Sequence, residues 1–224
     1  MIKSLWRIVS GGSVDAYGVL RSLLASNKEI CRIDIVSNNM QTGGGTEISD
    51  FLATNPPLQG LSLANNRLDD NDASLIARAL KRNTNLQHLQ LDRNNITNIG
   101  YDALRNAIYD STSLNAVAAS NHSCSIEGLD LDIISNNRYG DTSELNRGRK
   151  IYSALSSRNR EGTNVQHLDA EFGDESLTIV PKVLECVHSY AEYGSRDDVH
   201  PLSLMYEIFR SWKMPTLYEN NGAR

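Results

Sequence analysis

The chain has 224 residues, 40% of them hydrophobic, and its 22 Lys and Arg against 27 Asp and Glu give a formal net charge of −5. That length suits one large domain or two small ones and lets roughly 70% of the unfolded surface be buried, so no metal or disulfide staple is required. An acidic balance without a block of five like charges excludes a general nucleic-acid backbone binder, and the apolar stretches are far short of a membrane span. Arg7 breaks any signal-peptide core, and Cys31, Cys124 and Cys186 are odd in number and widely spaced, which points to a reducing compartment, cytoplasmic or nuclear. Two sequons, at Asn95 and Asn121, carry no weight without a secretory signal.

In chain order, Ile2, Leu5, Leu20 and Leu24 make a weak first repeat, from which Arg7 and Gly12 depart. Three clean repeats follow: Ile30-x-x-Ile33-x-Ile35-x-x-Asn38-x-Met40, Leu58-x-x-Leu61-x-Leu63-x-x-Asn66-x-Leu68 and Leu86-x-x-Leu89-x-Leu91-x-x-Asn94-x-Ile96, each 28 residues after the last. Leu20, Ile48, Ile76 and Leu104 keep the same spacing, as do Leu24, Leu52, Leu80 and Ile108, and as do Asn27, Asn55 and Asn83. Two apolar columns four residues apart lie on one helix face, and Ala79 and Ala107 let that face approach a sheet. Each repeat therefore reads as a short strand followed by a helix, with no core until the next repeat stacks on it. Asn38, Asn66 and Asn94 stand where the chain leaves the strand, and their amides are expected to serve buried backbone groups as a ladder. Gly44 and Gly100 precede their helices at equivalent places, where a tight turn is expected.

A fourth repeat is expected from Leu114, with Val117 and Ala119 in the leucine columns, His122 at the asparagine place and Cys124 as the last apolar filler. There the period stops. Ile126-x-x-Leu129-x-Leu131 imitates half a repeat only 12 residues later and puts Ile134 at the asparagine place, so it reads as the start of an inserted loop. A helix from about Asn146 to Ser157 and a final strand opening at Val165-Gln166-His167-Leu168 come next. Helices then follow: Val180, Val183, Leu184 and Val187 have amphipathic spacing, and Pro201 opens another helix whose Leu202, Met205, Phe209 and Trp212 share a face. This divides the chain into a repeat array over 1–124, an insertion and connecting helix over 125–164, and a capping region over 165–224. Either Ile2 to Leu24 is a degenerate capping repeat, or the array is truncated or pairs with another chain at that end.

Enzymatic signatures fail on spacing. Thr42-Gly43-Gly44-Gly45-Thr46 lacks the Lys and Ser/Thr of a phosphate loop, and neither GxSxG nor HExxH occurs. Asp69, Asp70 and Asp72 are explained by the helix they precede, His122 and Cys124 lack a second ligand pair, and Asp197, Asp198 and His200 read as a polar loop. No catalytic residue, metal or cofactor is expected.

The Leu58 to Ile108 stretch resembles the leucine-rich repeats of the ribonuclease-inhibitor-like class, and the unit is similar to the arrays of NOD-like receptors and Ran GTPase-activating proteins. The resemblance implies an α/β solenoid, a horseshoe segment of 28-residue strand–helix units with a helical C-terminal cap, whose concave strand face binds another protein. Positions 2, 3, 5, 7 and 8 of each stretch would point to that face or its rim. The contact candidates are Arg32, Asp34, Gln59, Gln87, His88, Gln90, Asp92, Arg93 and Asn115, centred on the row from His88 to Arg93. The expected partner is a protein, with neither nucleic acid nor membrane. The alternatives are a GTPase-activating protein of the Ran type and a recognition fragment of a NOD-like receptor; the long acidic tail associated with the former is missing.

Overall fold

A computed structural model describes residues 4–7, 15–26, 30–129, 136–171, 183–189 and 200–211. In chain order they form β1 (Ser4–Arg7), α1 (Ala16–Leu24), β2 (Ile30–Asp34), α2 (Glu47–Ala53), β3 (Gly60–Ser62), α3 (Asp70–Leu80), β4 (His88–Gln90) and α4 (Asn98–Ile108). After these come α5 (Leu114–Ala119), β5 (Ser125–Glu127), α6 (Ser143–Arg160), α7 (Asn164–Glu171), a helical stretch α8 at 183–189, and α9 (Pro201–Ser211). They belong to two compact parts, one from Met1–Asp110 with Ala119–Asn146 and the other from Ser111–Ala118 with Arg147–Arg224.

The first part is built on a five-stranded parallel sheet in the order β1-β2-β3-β4-β5. Arg32, Gly60 and His88 are direct partners along it, as are Asp34, Ser62 and Gln90, so the pairing repeats the 28-residue spacing of the sequence. Parallel neighbours need a crossover between them, and a helix serves each. Ile33, Leu61, Leu89 and Ile126 point inward from adjacent strands and are at most 2% exposed. Against them pack the helical columns Leu20, Ile48, Ile76 and Leu104, then Leu52, Leu80 and Ile108 one turn on. Each such side chain contributes about 1.5–3 kcal/mol by leaving water, and all join in one cluster.

Each helix start is fixed by its own chemistry. Asp69 caps α3 through Asn71 N–H and Asp72 N–H, while Asp72 accepts from the Asp69 N–H, which completes a capping box. Asp70 serves the next helix instead: it accepts from Thr97 N–H at 2.7 Å, Thr97 Oγ1 at 2.7 Å and Gly100 N–H at 3.1 Å. Thr42 Oγ1 donates to Asp72 at 2.5 Å, and Glu47 receives both Arg21 Nε at 2.8 Å and the Tyr17 hydroxyl. Side chains thus tie consecutive helices together along one edge. The two glycines differ: Gly44 is a turn residue ahead of α2 at φ +85° with open space around it, whereas Gly100 lies inside the first turn of α4, not ahead of it, and a Cβ on it would fall 2.7 Å from Asp70 Oδ1 and 2.9 Å from Ala73 Cβ. Gly100 is there for close helix packing.

The strand of the expected fourth repeat, β5, lies elsewhere than the leucine columns indicate. Leu114–Ala119 is helix α5, because Ser113 caps it, its Oγ accepting from Ala116 N–H at 3.0 Å, and three of its six residues are alanine. The strand is Ser125–Glu127, paired with β4, so the extra residues come before it and not after. The sheet consequently runs past position 124. His122 is buried, but the structural amide beside it belongs to Asn121, which donates to Leu80 O and Asn83 O and accepts from Ser123 N–H and Cys124 N–H. Asn83 does the same one strand earlier, accepting from Asn85 N–H and Leu86 N–H and donating to Leu52 O. Asn121 therefore continues the column of Asn55 and Asn83; Asn27 lies outside the described residues. Among the described residues a side chain lies on the outer edge of β5: Asn136 accepts from Ile126 N–H and donates to Ile126 O.

In the second part, Val165 to Leu168 is helical, within α7, with only Leu168 of the four buried. His167 N–H bonds to Thr163 O one turn back, and Asp169, Ala170 and Glu171 continue the helix past any strand. Helix α6 is longer than the Asn146 to Ser157 expected and buries Arg149, Lys150, Tyr152 and Arg158. Arg158 pairs with Glu171 at 3.0 Å. Val183 and Val187 of α8 are buried; Val180 lies outside the described residues. Pro201 does open α9, but the face turned inward is that of Leu204 and Ile208, while Leu202 and Phe209 are exposed. The rotation follows Glu207, whose carboxylate accepts from Asn159 at 2.8 Å and Asn164 at 2.6 Å. Ile2, Gly12, Leu131, Ile134, Asp197, Asp198, Trp212 and the side chain of Trp6 lie outside the described residues. No described helix is long and apolar enough to cross a membrane.

Candidate functional site

Alternation along the strands decides what faces water. Because Ile33, Leu61, Leu89 and Ile126 point into the core, their neighbours point out, and two rows cross the sheet: Arg32, Gly60, His88 and Ser125, then Asp34, Ser62, Gln90 and Glu127. Gly60 has no side chain to hold its place, and Arg32 lies over it: a Cβ there would stand 2.7 Å from Arg32 Nε. In the second row, Ser62 Oγ donates to Gln90 Oε1 at 2.6 Å, which fixes the Gln90 amide across the strand boundary. His88 Nε2 stands 3.6 Å from Glu127 Oε1 across the boundary between β4 and β5.

The polypeptide then leaves the strands through a left-handed residue in three successive repeats: Ser37 at φ +63°, Asn65 at +54° and Arg93 at +56°. L-residues other than Asn and Asp rarely adopt this conformation. It is held by the neighbouring strand's exit, with Ser37 N–H bonded to Ala64 O and Asn65 N–H to Asp92 O, while Asn65 Nδ2 donates to Ser37 Oγ at 2.8 Å. Arg93 is thereby presented 80% exposed, 3.9 Å from Asp92. Asp92 abuts Gly128, which sits at φ +84°.

Beneath these exits run the asparagine amides. Asn66 accepts from Asn38 N–H and Met40 N–H and donates to Ile35 O, Leu63 O and Ala64 O. Asn94 accepts from Leu68 N–H and donates to Leu63 O, Leu91 O and Asp92 O. Asn38 donates to Val36 O. These groups have lost strand partners, and the Asn66 and Asn94 amides each serve two repeats at once.

Arg32, Asp34, His88 and Gln90 are thus strand residues of the open face. Gln59 and Gln87 immediately precede β3 and β4, and their backbones carry the ladder on, with Gln59 O accepting from Gln87 N–H and His88 N–H. Asp92 and Arg93 stand at the exit of β4. Asn115 does not join them: it lies on α5, in the second compact part, because that segment is capped as a helix. Its place in the last row is taken by Ser125 and Glu127. Reading by spacing also missed Tyr139, 66% exposed on the loop before α6, whose ring stands 6.0 Å from the His88 ring at 75°. An aromatic residue followed by Gly140 in a polar loop is the one sequence signal for it.

Among the described residues no His, Cys, Asp and Glu cluster is placed to hold a metal. Cys124 is buried in the core, and burial raises the Cys186 thiol above its ordinary value. Asn121 is buried with its amide engaged, so its sequon is closed to modification.

No curated protein matches the chain. The family described as Leucine Rich repeat matches residues 82–104, which run through β4, Asn94 and most of α4. With a parallel sheet and a crossover helix on each strand, that match supports a leucine-rich repeat protein.

Proposed function

We propose that the chain is a non-catalytic, cytoplasmic protein-binding scaffold, a leucine-rich-repeat solenoid of the ribonuclease-inhibitor-like class whose open, concave strand face takes a protein partner. One observation carries the reading: Arg32, Asp34, His88, Gln90 and Glu127 stand in register on one face of strands whose other face is fully buried. Rigid strands hold these side chains at little entropic cost on binding. Mixed charges spread over adjacent strands suit a polar protein surface, since complementary charge sets register and partner choice.

The test is retention of proteins from a lysate on the immobilised chain, followed by affinity measurement with the purified partner. A His88→Ala, Gln90→Ala, Arg93→Asn variant is compared, asparagine being chosen because it keeps the left-handed backbone at position 93. Loss of more than about 2 kcal/mol, some thirtyfold in Kd, with unchanged circular dichroism is expected. Equal affinity of the two proteins would remove the face from the function.

A further inference from the structure

The two rows that cross the open face from β2 to β5 differ in sign. The first, Arg32, Gly60, His88 and Ser125, bears a guanidinium and an imidazole and no carboxylate. The second, Asp34, Ser62, Gln90 and Glu127, bears two carboxylates and no cation, and it stops at β1, where Arg7 is the register partner of Asp34. Arg32 and Asp34 stand two residues apart on one strand, yet among the described residues neither is in an ion pair. With no side chain on Gly60 in its way, Arg32 crosses to the next strand instead, its Cγ, Nε and Cζ lying over Gly60. The guanidinium is thereby carried off Asp34 and onto β3. Both Arg32 and Glu127 are exposed, and Asp34 is half-buried.

Four groups therefore occupy four successive strand positions: Asp34 on β2, the Arg32 guanidinium over β3, His88 on β4 and Glu127 on β5. Successive positions are about 4.8 Å apart, and the rows are separated by two residues, about 7 Å along the strands. A linear element that meets both rows lies across the strands. A helix suits that spacing: it is about 10 Å wide, enough to put one flank over each row, and a flank brings residues back about every 5.4 Å. An extended segment returns side chains to one side only about every 6.7 Å and is out of step after two strands.

We propose that the open face takes an α-helix of the partner protein, laid across the strands, with carboxylates on the flank over Arg32 and His88 and cations on the flank over Asp34 and Glu127. The assignment rests on the reading of this face as a protein-binding surface. Segregated charge gives the helix one direction across the array, because the reversed helix sets like charges opposite Arg32, Asp34 and Glu127.

The probe is an alanine-based peptide of about 15 residues held helical by a hydrocarbon staple, with lysines at its second and thirteenth places and glutamates at its fourth and eighth. At about 1.5 Å and 100° per residue these fall on opposite flanks, each within about 2 Å of one of the four strand positions. A counterpart exchanges the second and fourth residues, which keeps composition and net charge but mixes the signs on each flank. Both are titrated into the isotopically labelled full chain and followed by backbone amide shifts. The first peptide is expected to move residues 32–34, 60–62, 88–90 and 125–127 saturably. It should bind about three- to tenfold tighter than the counterpart, a margin that shrinks as salt rises. In Arg32→Glu/Asp34→Lys, which leaves net charge unaltered, the preference should reverse with circular dichroism unchanged. A form of the first peptide broken by two prolines should bind at least about threefold more weakly than the helix. Equal affinity for the two helical peptides, a preference that survives the exchange, equal binding of the broken form, or no saturable shift at all would overturn the assignment. If the His88, Gln90 and Arg93 variant loses the captured partner while the wild-type chain treats the two peptides alike, the face stands and the helix assignment falls.

Discussion

Replacing Asn66 by alanine tests the asparagine ladder most directly. The side chain is 7% exposed, accepts two backbone N–H groups and donates to three carbonyl oxygens, at 2.6–3.2 Å. Truncation leaves the N–H groups of Asn38 and Met40 without this acceptor in a space too small for free solvation. Each orphaned buried group costs about 1–3 kcal/mol, so the total is about 3–5 kcal/mol, against a whole-domain stability of about 5–15. Urea unfolding, with hydrogen exchange of the β2 and β3 amides to follow the first compact part, should show the midpoint collapse while the slope stays constant. Asn95→Ala is the control, since that residue is exposed, and should change stability by no more than about 0.5 kcal/mol. Asn66→Asp adds a second constraint: the carboxylate keeps the acceptors but faces three carbonyl oxygens, so its penalty should shrink in acid. A cost below about 1 kcal/mol for Asn66→Ala, or an Asp variant indifferent to pH, would refute the ladder as a source of stability.

Gly100→Ala sets propensity against packing. Alanine favours a helix by about 1 kcal/mol, yet the new methyl would stand 2.7 Å from Ile96 Cγ2 and 2.9 Å from Ala73 Cβ, so thermal melting should show a net loss of about 1–2 kcal/mol. Acid titration should separate two neighbouring carboxylates. Hydrogen bonds from the Thr97 hydroxyl and N–H hold Asp70 below its ordinary 3.8, so its stabilisation is present above that pH and fades as pH falls below it. Burial pushes Asp72 above 3.8 despite its bond from Thr42, so its folded form takes up a proton first and the chain gains stability as pH falls towards 3.8. The gap between wild type and Asp70→Asn should therefore narrow below pH 3.8, and the advantage over Asp72→Asn should widen above it on the way down; a common response from both variants would contradict the assigned environments.

Residues 30–108 were legible because one period governs them: Leu61, Leu89, Ile76 and Leu104 repeat at 28, and a column that repeats has to be buried by its copies. Legibility failed where that period was trusted too long. Leu114 and Val117 fit the leucine columns by type, but a capping serine and three alanines set the local conformation, and the columns carry no information about caps. Strand β5 has one buried side chain, Ile126, too little for any periodic signal; the Asn83-x-x-Leu86 pattern repeated as Asn121-x-x-Cys124 was the better guide. In α9 the apolar residues lie on both faces, and the bonds to Glu207 choose between them. Of the candidate site, the strand residues Arg32, Asp34, His88 and Gln90 follow from alternation alone, whereas Tyr139 and Glu127 depend on a loop and a register that no spacing reveals. The left-handed exits at Ser37 and Arg93 were equally invisible, since neither residue type advertises them.

The amide of Asn136 has one more consequence. By engaging both backbone groups of Ile126 that would otherwise point outward, it closes the outer edge of β5 with a side chain among the described residues. A passing extended peptide finds no free template at Ile126, so the β5 edge is guarded against edge-to-edge growth. The same closure restricts how such a chain lengthens over generations. A duplicated repeat added after β5 would have to displace the Asn136 amide from Ile126 to pair, whereas one inserted among residues 30–108 finds the same neighbours on both sides.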